Sequence, residues 1–189
     1  DGVVVFCVHG SLGTWRHFEP IWGKIGGCAM VAYDALGCGE AKKPAEPDGC
    51  CRGEEVGEMG LYAEEEMAKD CLAVFEEFVL PYRRKWPRGR ILIVGHSFGT
   101  VLALRLSRTV EVDGLVLLGC SRDIPAGVRH PILSAPEMIM ECLRPLLDQG
   151  FVQGAFGNEV DPAVLAYFRS IAVVNPMHVV RPFYRDMLW

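Results

Sequence analysis

The sequence predicts an α/β fold: a doubly wound, mostly parallel sheet under a helical cap, incomplete at both ends of the chain. Three observations carry this reading. Four short apolar runs rich in β-branched residues alternate with segments of helical periodicity, in the order β-α-β-α-β-α-β. The runs are continuous rather than alternating, which suits strands buried on both faces of a parallel sheet. From residue 124 onward the alternation stops, and helical segments punctuated by Pro and Gly take over. The boundaries that follow are a partial core over 1–122 and a cap over 123–189.

The elements are justified in chain order. "VVVFCVHG" (3–10) is the first strand, ending at His9-Gly10. In "SLGTWRHFEPIWGKIGG" (11–27), Trp15, Phe18, Ile21, Trp22 and Ile25 recur at helical spacing and Gly26-Gly27 closes the segment. "CAMVAYDALGCGE" (28–40) is a strand that stops at Asp34 and a glycine-rich turn. Residues 41–60, with Pro44, Pro47, four glycines and many acids, read as a loop. Residues 61–84 carry an apolar stripe through Met67, Cys71, Leu72 and Phe75 and predict one helix. Then come a strand over 90–95, a helix over 97–108 and a strand over 112–121. The cap segments begin at Ala135, Asp161 and Pro176. Their Phe151, Phe156, Tyr167, Phe168, Met177, Phe183 and Tyr184 either line an acyl pocket or pack the cap onto the core.

Composition narrows the function classes. The 189 residues are half apolar and 23% charged, enough for one globular core. A net charge of -5 argues against nucleic acid as a partner. The single basic cluster, "YRRKWPRGR" (82–90), reads as a solvated helix end. No run of 18 apolar residues predicts an integral membrane segment, and no signal peptide is visible. Eight cysteines at irregular spacing, without a CxxC pair, predict reduced thiols, an intracellular, cytoplasmic setting and no metal site. Gly37-x-Gly39 lacks the third glycine of a dinucleotide loop, so no cofactor is expected. Nothing in the sequence speaks to oligomeric state.

The chemistry concentrates in Gly95-His96-Ser97-Phe98-Gly99, a G-x-S-x-G with a strand before it and a helix after it. A serine on such a sharp turn needs neighbours without side chains two residues to either side. Its Oγ then stands at a helix N-terminus, where N–H groups and the dipole favour developing negative charge. Ser97 is therefore the candidate nucleophile. His9-Gly10 turns the chain so that a backbone N–H from Ser11, or second from Leu12, faces the serine. With the N–H of Phe98 it would form an oxyanion hole. His9 itself reads as a histidine held in the turn by backbone bonds, and His96 as a packed neighbour.

"HGSLGTWRHFEPIW", "YDALGCGEAKKP" and "ILIVGHSFGTVLALRLS" together resemble the α/β-hydrolase superfamily, in its order of motifs. The resemblance covers about 1–122 in specific motifs and the rest only as a cap of fitting composition, similar to that of abhydrolase-domain-containing proteins. It implies a serine hydrolase of esterase, lipase or thioesterase type, acting through an acyl-enzyme on an apolar small-molecule ester. A serine at the elbow sets aside epoxide hydrolases and haloalkane dehalogenases, which use aspartate there. It also implies that Asp34, in Asp34-x-x-Gly37-x-Gly39, anchors a loop rather than serving as the catalytic acid. The other reading is a non-catalytic ligand- or partner-binding module of the same fold.

In the superfamily the triad runs Ser, then Asp or Glu, then His. Here only His130 and His178 follow Ser97, both in cap-like segments, and Asp123 is the one acid in the loop after the last strand that invites the role. The base is expected beyond Trp189, which would leave the chain by itself inactive and an apolar sheet edge unpaired. Such an edge predicts poor solubility.

Overall fold

The structure, a computed structural model, describes residues 2–41, 62–120, 135–157, 159–172, 175 and 177–186. Four parallel strands, β1 (Val3–Val8), β2 (Cys28–Ala32), β3 (Arg90–His96) and β4 (Gly114–Leu118), pair in the order β2-β1-β3-β4. β1 is central, with Val8 opposite Gly95 of β3 and Val3 opposite Cys28 of β2. Its residues from Val4 to Val8 are all buried, as a strand covered on both faces requires. The even residues Val4, Phe6 and Val8 enter the larger core, while Val5 and Cys7 face a smaller one with Phe18 and Val94.

The larger core is closed by two long helices. α2 (Glu64–Phe78) buries Met67, Cys71 and Phe75, one turn apart, and opens on three glutamates that suit the positive end of its dipole. The expected helix over 61–84 is two helices. Pro81 has no N–H to continue the ladder, so the chain breaks at Val79 and restarts as α3 (Leu80–Lys85). α4 (Gly99–Ser107) buries Thr100, Leu102, Ala103 and Leu106 against the sheet. Phe6 meets Phe75 edge-on at 5.5 Å between ring centres.

Residues 11–27 depart further from expectation. They form a 3₁₀ turn (Trp15–Phe18) and a single turn of helix, α1 (Glu19–Trp22). Of the five residues at helical spacing only Phe18 is buried, and Trp22 and Ile25 are exposed. Pro20 starts a helix rather than continuing one, and Gly23 ends it after a turn. On this thinly covered side β4 leaves Val116 and Leu118 each 43% exposed. β4 pairs with β3 alone among the described residues.

Three helices follow, α5 (Glu137–Phe156), α6 (Pro162–Ile171) and α7 (Met177–Asp186). They are not equally attached. α7 sends Val179 and Phe183 into the same core as the sheet, where Phe183 packs against Phe98 and Tyr62. α5 keeps Met138, Leu146 and Phe151 on the surface. No described helix is long and apolar enough to cross a membrane.

Candidate active site

In a sheet ordered β2-β1-β3-β4 the connection from β1 leads one way and that from β3 the other. The crevice of such a sheet opens at the carboxyl ends of those two strands. There the chain places His9-Gly10 beside His96-Ser97. A methyl group on Gly10 would stand 2.9 Å from Ser97 Cβ and 3.2 Å from the His96 carbonyl, so only glycine lets the two turns meet.

Ser97 has φ of 51°, a left-handed backbone that a non-glycine residue holds only under constraint. The constraint is visible. The Ser97 N–H donates to the Leu118 carbonyl at 2.8 Å, and the Ser97 carbonyl accepts from the Thr100 N–H at 2.9 Å and the Thr100 hydroxyl at 2.6 Å. A Cβ on Gly95 would lie 2.6 Å from the Gly99 carbonyl and 2.8 Å from Thr100 Cα. Gly99 rests on the carbonyls of Val8 and His9. Strand and helix thus cross too closely for side chains on either side of the serine. Phe98 follows, 1% exposed, as the residue preceding α4.

The loop facing Ser97 is a β-turn, closed by the Gly13 N–H donating to the Gly10 carbonyl at 3.1 Å. Its third residue, Leu12, has φ of 49°. Ser11 and Leu12 therefore sit on a fixed turn that begins at Gly10, the residue against Ser97.

His9 is 4% exposed and uses both ring nitrogens. Nε2 accepts the Ala35 N–H at 3.0 Å, which assigns the ring proton to Nδ1, 2.7 Å from the Gly10 carbonyl. A ring bonded in this way clamps two loops in its neutral form and is not poised to take a proton from Ser97. Asp34 is the matching anchor. Its Oδ1 accepts the Trp15 N–H and its Oδ2 the Glu40 N–H, both at 2.7 Å. Asp34→Ala should lower stability by about 1–2 kcal/mol in urea titration, because it leaves two loop N–H groups without an acceptor.

Three histidines surround this crevice. Burial lowers the pKa of His9, and that of His17 to about 4, whereas His96 ends β3 exposed rather than packed as expected, and partial desolvation lowers its pKa. His17 also lies close enough to His9 and His96 to feel their charge, and its ring packs 5.5 Å from Phe168 of α6. The unfolded chain takes up a proton at His17 near pH 6.5, whereas the folded chain waits until about 4. Stability that is complete above 6.5 is therefore lost as pH falls toward 4. Urea midpoints across this range should fall less steeply in His17→Phe than in the natural protein, and parallel curves would contradict this account.

Between the 3₁₀ turn, α1 and α6 lies a cleft of about 590 Å3, lined by His17, Glu19, Pro20, Ala163, Val164, Tyr167 and Phe168. Tyr167 donates its hydroxyl proton to Glu19 Oε2 at 2.7 Å, which holds the Glu19 carboxyl below its usual range, with Arg16 assisting at 3.2 Å. Of the cap residues expected to line a pocket, Tyr167 and Phe168 do so. Phe156 packs on Phe168, Met177 and Phe183 are buried, and Phe151 is 62% exposed. Asp123 and His130 lie outside the described residues, as does the side chain of His178. No group of three or more His, Cys, Asp or Glu suited to a metal occurs among the described residues.

Sequence reasoning missed two contributors, His17 and Asn175. His17 stands in a segment read as an ordinary amphipathic helix. Asn175 comes from the loop before α7, and its Nδ2 donates to the Leu12 carbonyl at 3.3 Å across 163 positions of sequence. No local pattern signals a contact of that length.

Known proteins share this fold. Solved structures of similar fold include a putative alpha/beta hydrolase from Nostoc, 21% identical with a TM-score of 0.67, covering 98% of this chain and 65% of its own. An esterase from Exiguobacterium antarcticum follows at 19% and 0.66, covering 98% of this chain and 66% of its own. A lipase-esterase related protein from Clostridium acetobutylicum is 14% identical at 0.64, covering 98% and 67%. The chain thus spans about two thirds of the length of these proteins. No curated protein matches it significantly. The model of the Alpha/beta hydrolase family matches residues 4–188, nearly the whole length, and includes both the Gly10 turn and the serine turn. On that match, and with the parallel sheet and its crevice in place, the chain belongs to the alpha/beta hydrolase family.

Proposed function

We propose that this chain carries the nucleophile, oxyanion loop and cap of a serine hydrolase that cleaves an ester-type bond of an apolar small molecule. Ser97 Oγ adds to the carbonyl carbon, the ester C–O bond breaks and the alcohol leaves with the serine proton, and water then hydrolyses the acyl-enzyme to the acid and free serine. The backbone N–H of Phe98 and one from Ser11 or Leu12 receive the developing oxyanion. The single observation that carries this reading is the strained backbone of Ser97, φ 51°, held between Gly95 and Gly99 and pressed against Gly10. A protein with no use for an exposed serine hydroxyl has no need of such a turn. The esterases among the proteins of similar fold support the bond type.

One observation favours a second reading, a non-catalytic binding module: among the described residues no histidine is hydrogen-bonded to the Ser97 hydroxyl. A fluorophosphonate probe applied to the full-length protein separates the two. Covalent labelling at Ser97 supports the hydrolase, whereas well-folded protein that takes up no probe supports the binding module.

A further inference from the structure

Leu12 is a branched residue held at φ 49°, in the turn that faces Ser97. Such a backbone relaxes unless its surroundings fix it. Inside the turn the Gly13–Gly10 hydrogen bond contributes. From outside, the Leu12 carbonyl accepts a hydrogen bond from Asn175 Nδ2 at 3.3 Å. Asn175 is itself fastened to α5. Its carbonyl accepts from Arg144 Nη1 at 2.9 Å, and Arg144 grips Glu141 through two bonds of 2.8 Å. Glu141 Oε1 also receives the N–H of Met177, the first residue of α7, at 3.1 Å. One polar chain therefore runs from α5 through Asn175 to the turn beside the nucleophile.

The amide sits there at a cost. Asn175 is 6% exposed, and its Oδ1 is buried with no hydrogen-bond partner among the described residues. Turning the amide over would not help, because the Leu12 carbonyl accepts only from the nitrogen. A buried amide with one orphaned atom is uncommon in folded proteins and calls for a reason. The contact with Leu12 supplies one.

We propose that Asn175 is a positioning residue for the oxyanion loop, tying the seating of the helical cap to the backbone geometry at Leu12. The inference rests on the serine-hydrolase reading. With the cap seated, Asn175 holds the Ser11–Leu12 segment in its turn, and with the cap displaced the turn loses this tether. The residue touches no reacting atom and acts through the loop.

The test uses the full-length protein with a fluorophosphonate probe and p-nitrophenyl butyrate. Asn175→Asp keeps the shape but replaces the donor with a carboxylate oxygen facing the Leu12 carbonyl. Phosphonylation and active-site-titrated kcat should both fall about tenfold to a hundredfold, short of the loss of a whole oxyanion donor. KM should stay within about twofold, since binding of the ground state does not depend on the oxyanion loop. Arg144→Met, which frees the Asn175 backbone, should shift kcat in the same direction by a smaller factor, and it serves if Asn175→Asp does not fold. A purely structural role would lower the melting temperature and the titratable fraction while leaving the rate per active site unchanged. That outcome, or labelling at the natural rate, overturns the inference and leaves the hydrolase reading standing. Failure of the natural protein to label at Ser97 overturns both.

Discussion

Ser97→Ala should abolish fluorophosphonate labelling outright and reduce ester turnover by about 10³–10⁶-fold, since it removes the oxygen that forms the covalent bond. The residual rate would come from oxyanion-loop donors and substrate binding alone. The fold should survive, because the Ser97 N–H and carbonyl bonds to Leu118 and Thr100 are backbone features that alanine keeps. Ser97→Gly separates strain from chemistry. It should be equally inactive yet more stable than Ser97→Ala by about 1–2 kcal/mol, because glycine adopts φ near 51° without penalty. Equal stability of the two variants would mean that the turn stores no strain. Full turnover in Ser97→Ala would remove the serine from the mechanism.

The second large effect is on stability. Gly99→Ala directs its new Cβ at the carbonyl oxygens of Val8 and His9, the latter at 2.6 Å. Val8 ends the central strand and His9 follows it directly, and that strand is hydrogen-bonded to β2 and β3 and cannot retreat alone. The expected loss is about 3 kcal/mol or more, at the upper end of overpacking costs, or roughly 6–12 °C in melting temperature for a chain of this size. Gly150→Ala and Gly154→Ala provide the contrast. They lie within α5, where an added methyl meets nothing within 4 Å, and each should stabilise by about 0.5–1 kcal/mol. If Gly99→Ala melts like the natural protein, the strand and helix do not approach as closely as described.

These expectations differ in how early they could be made. The strained turn at Ser97, on which its proposed role as nucleophile rests, followed from five residues and the strand and helix around them, because G-x-S-x-G states a local steric requirement. The bonds of His9 were legible in kind, since a histidine at a strand end must satisfy its nitrogens somewhere. That its partner would be Ala35 was not. The helices expected over 11–27 and 61–84 were misread for one reason: Pro20 and Pro81 each begin a helix, and periodicity alone does not register a missing N–H. The cap aromatics looked alike in sequence, yet Phe183 belongs to the sheet's core, Phe168 to the cleft and Phe151 to solvent.

By itself the sequence determined the order of the strands and the turn at Ser97, because each depends on residues within a few positions of one another, and its continuous apolar runs pointed to a parallel sheet. The tertiary structure alone decided what stands opposite that turn: Gly10 against the serine, His17 against Phe168, and Asn175 on Leu12. Those pairs are brought together by β1 lying beside β3 and by helices folding back over the crevice. Contacts across more than eighty positions arise from packing and chain reversal, which no local run of residues encodes.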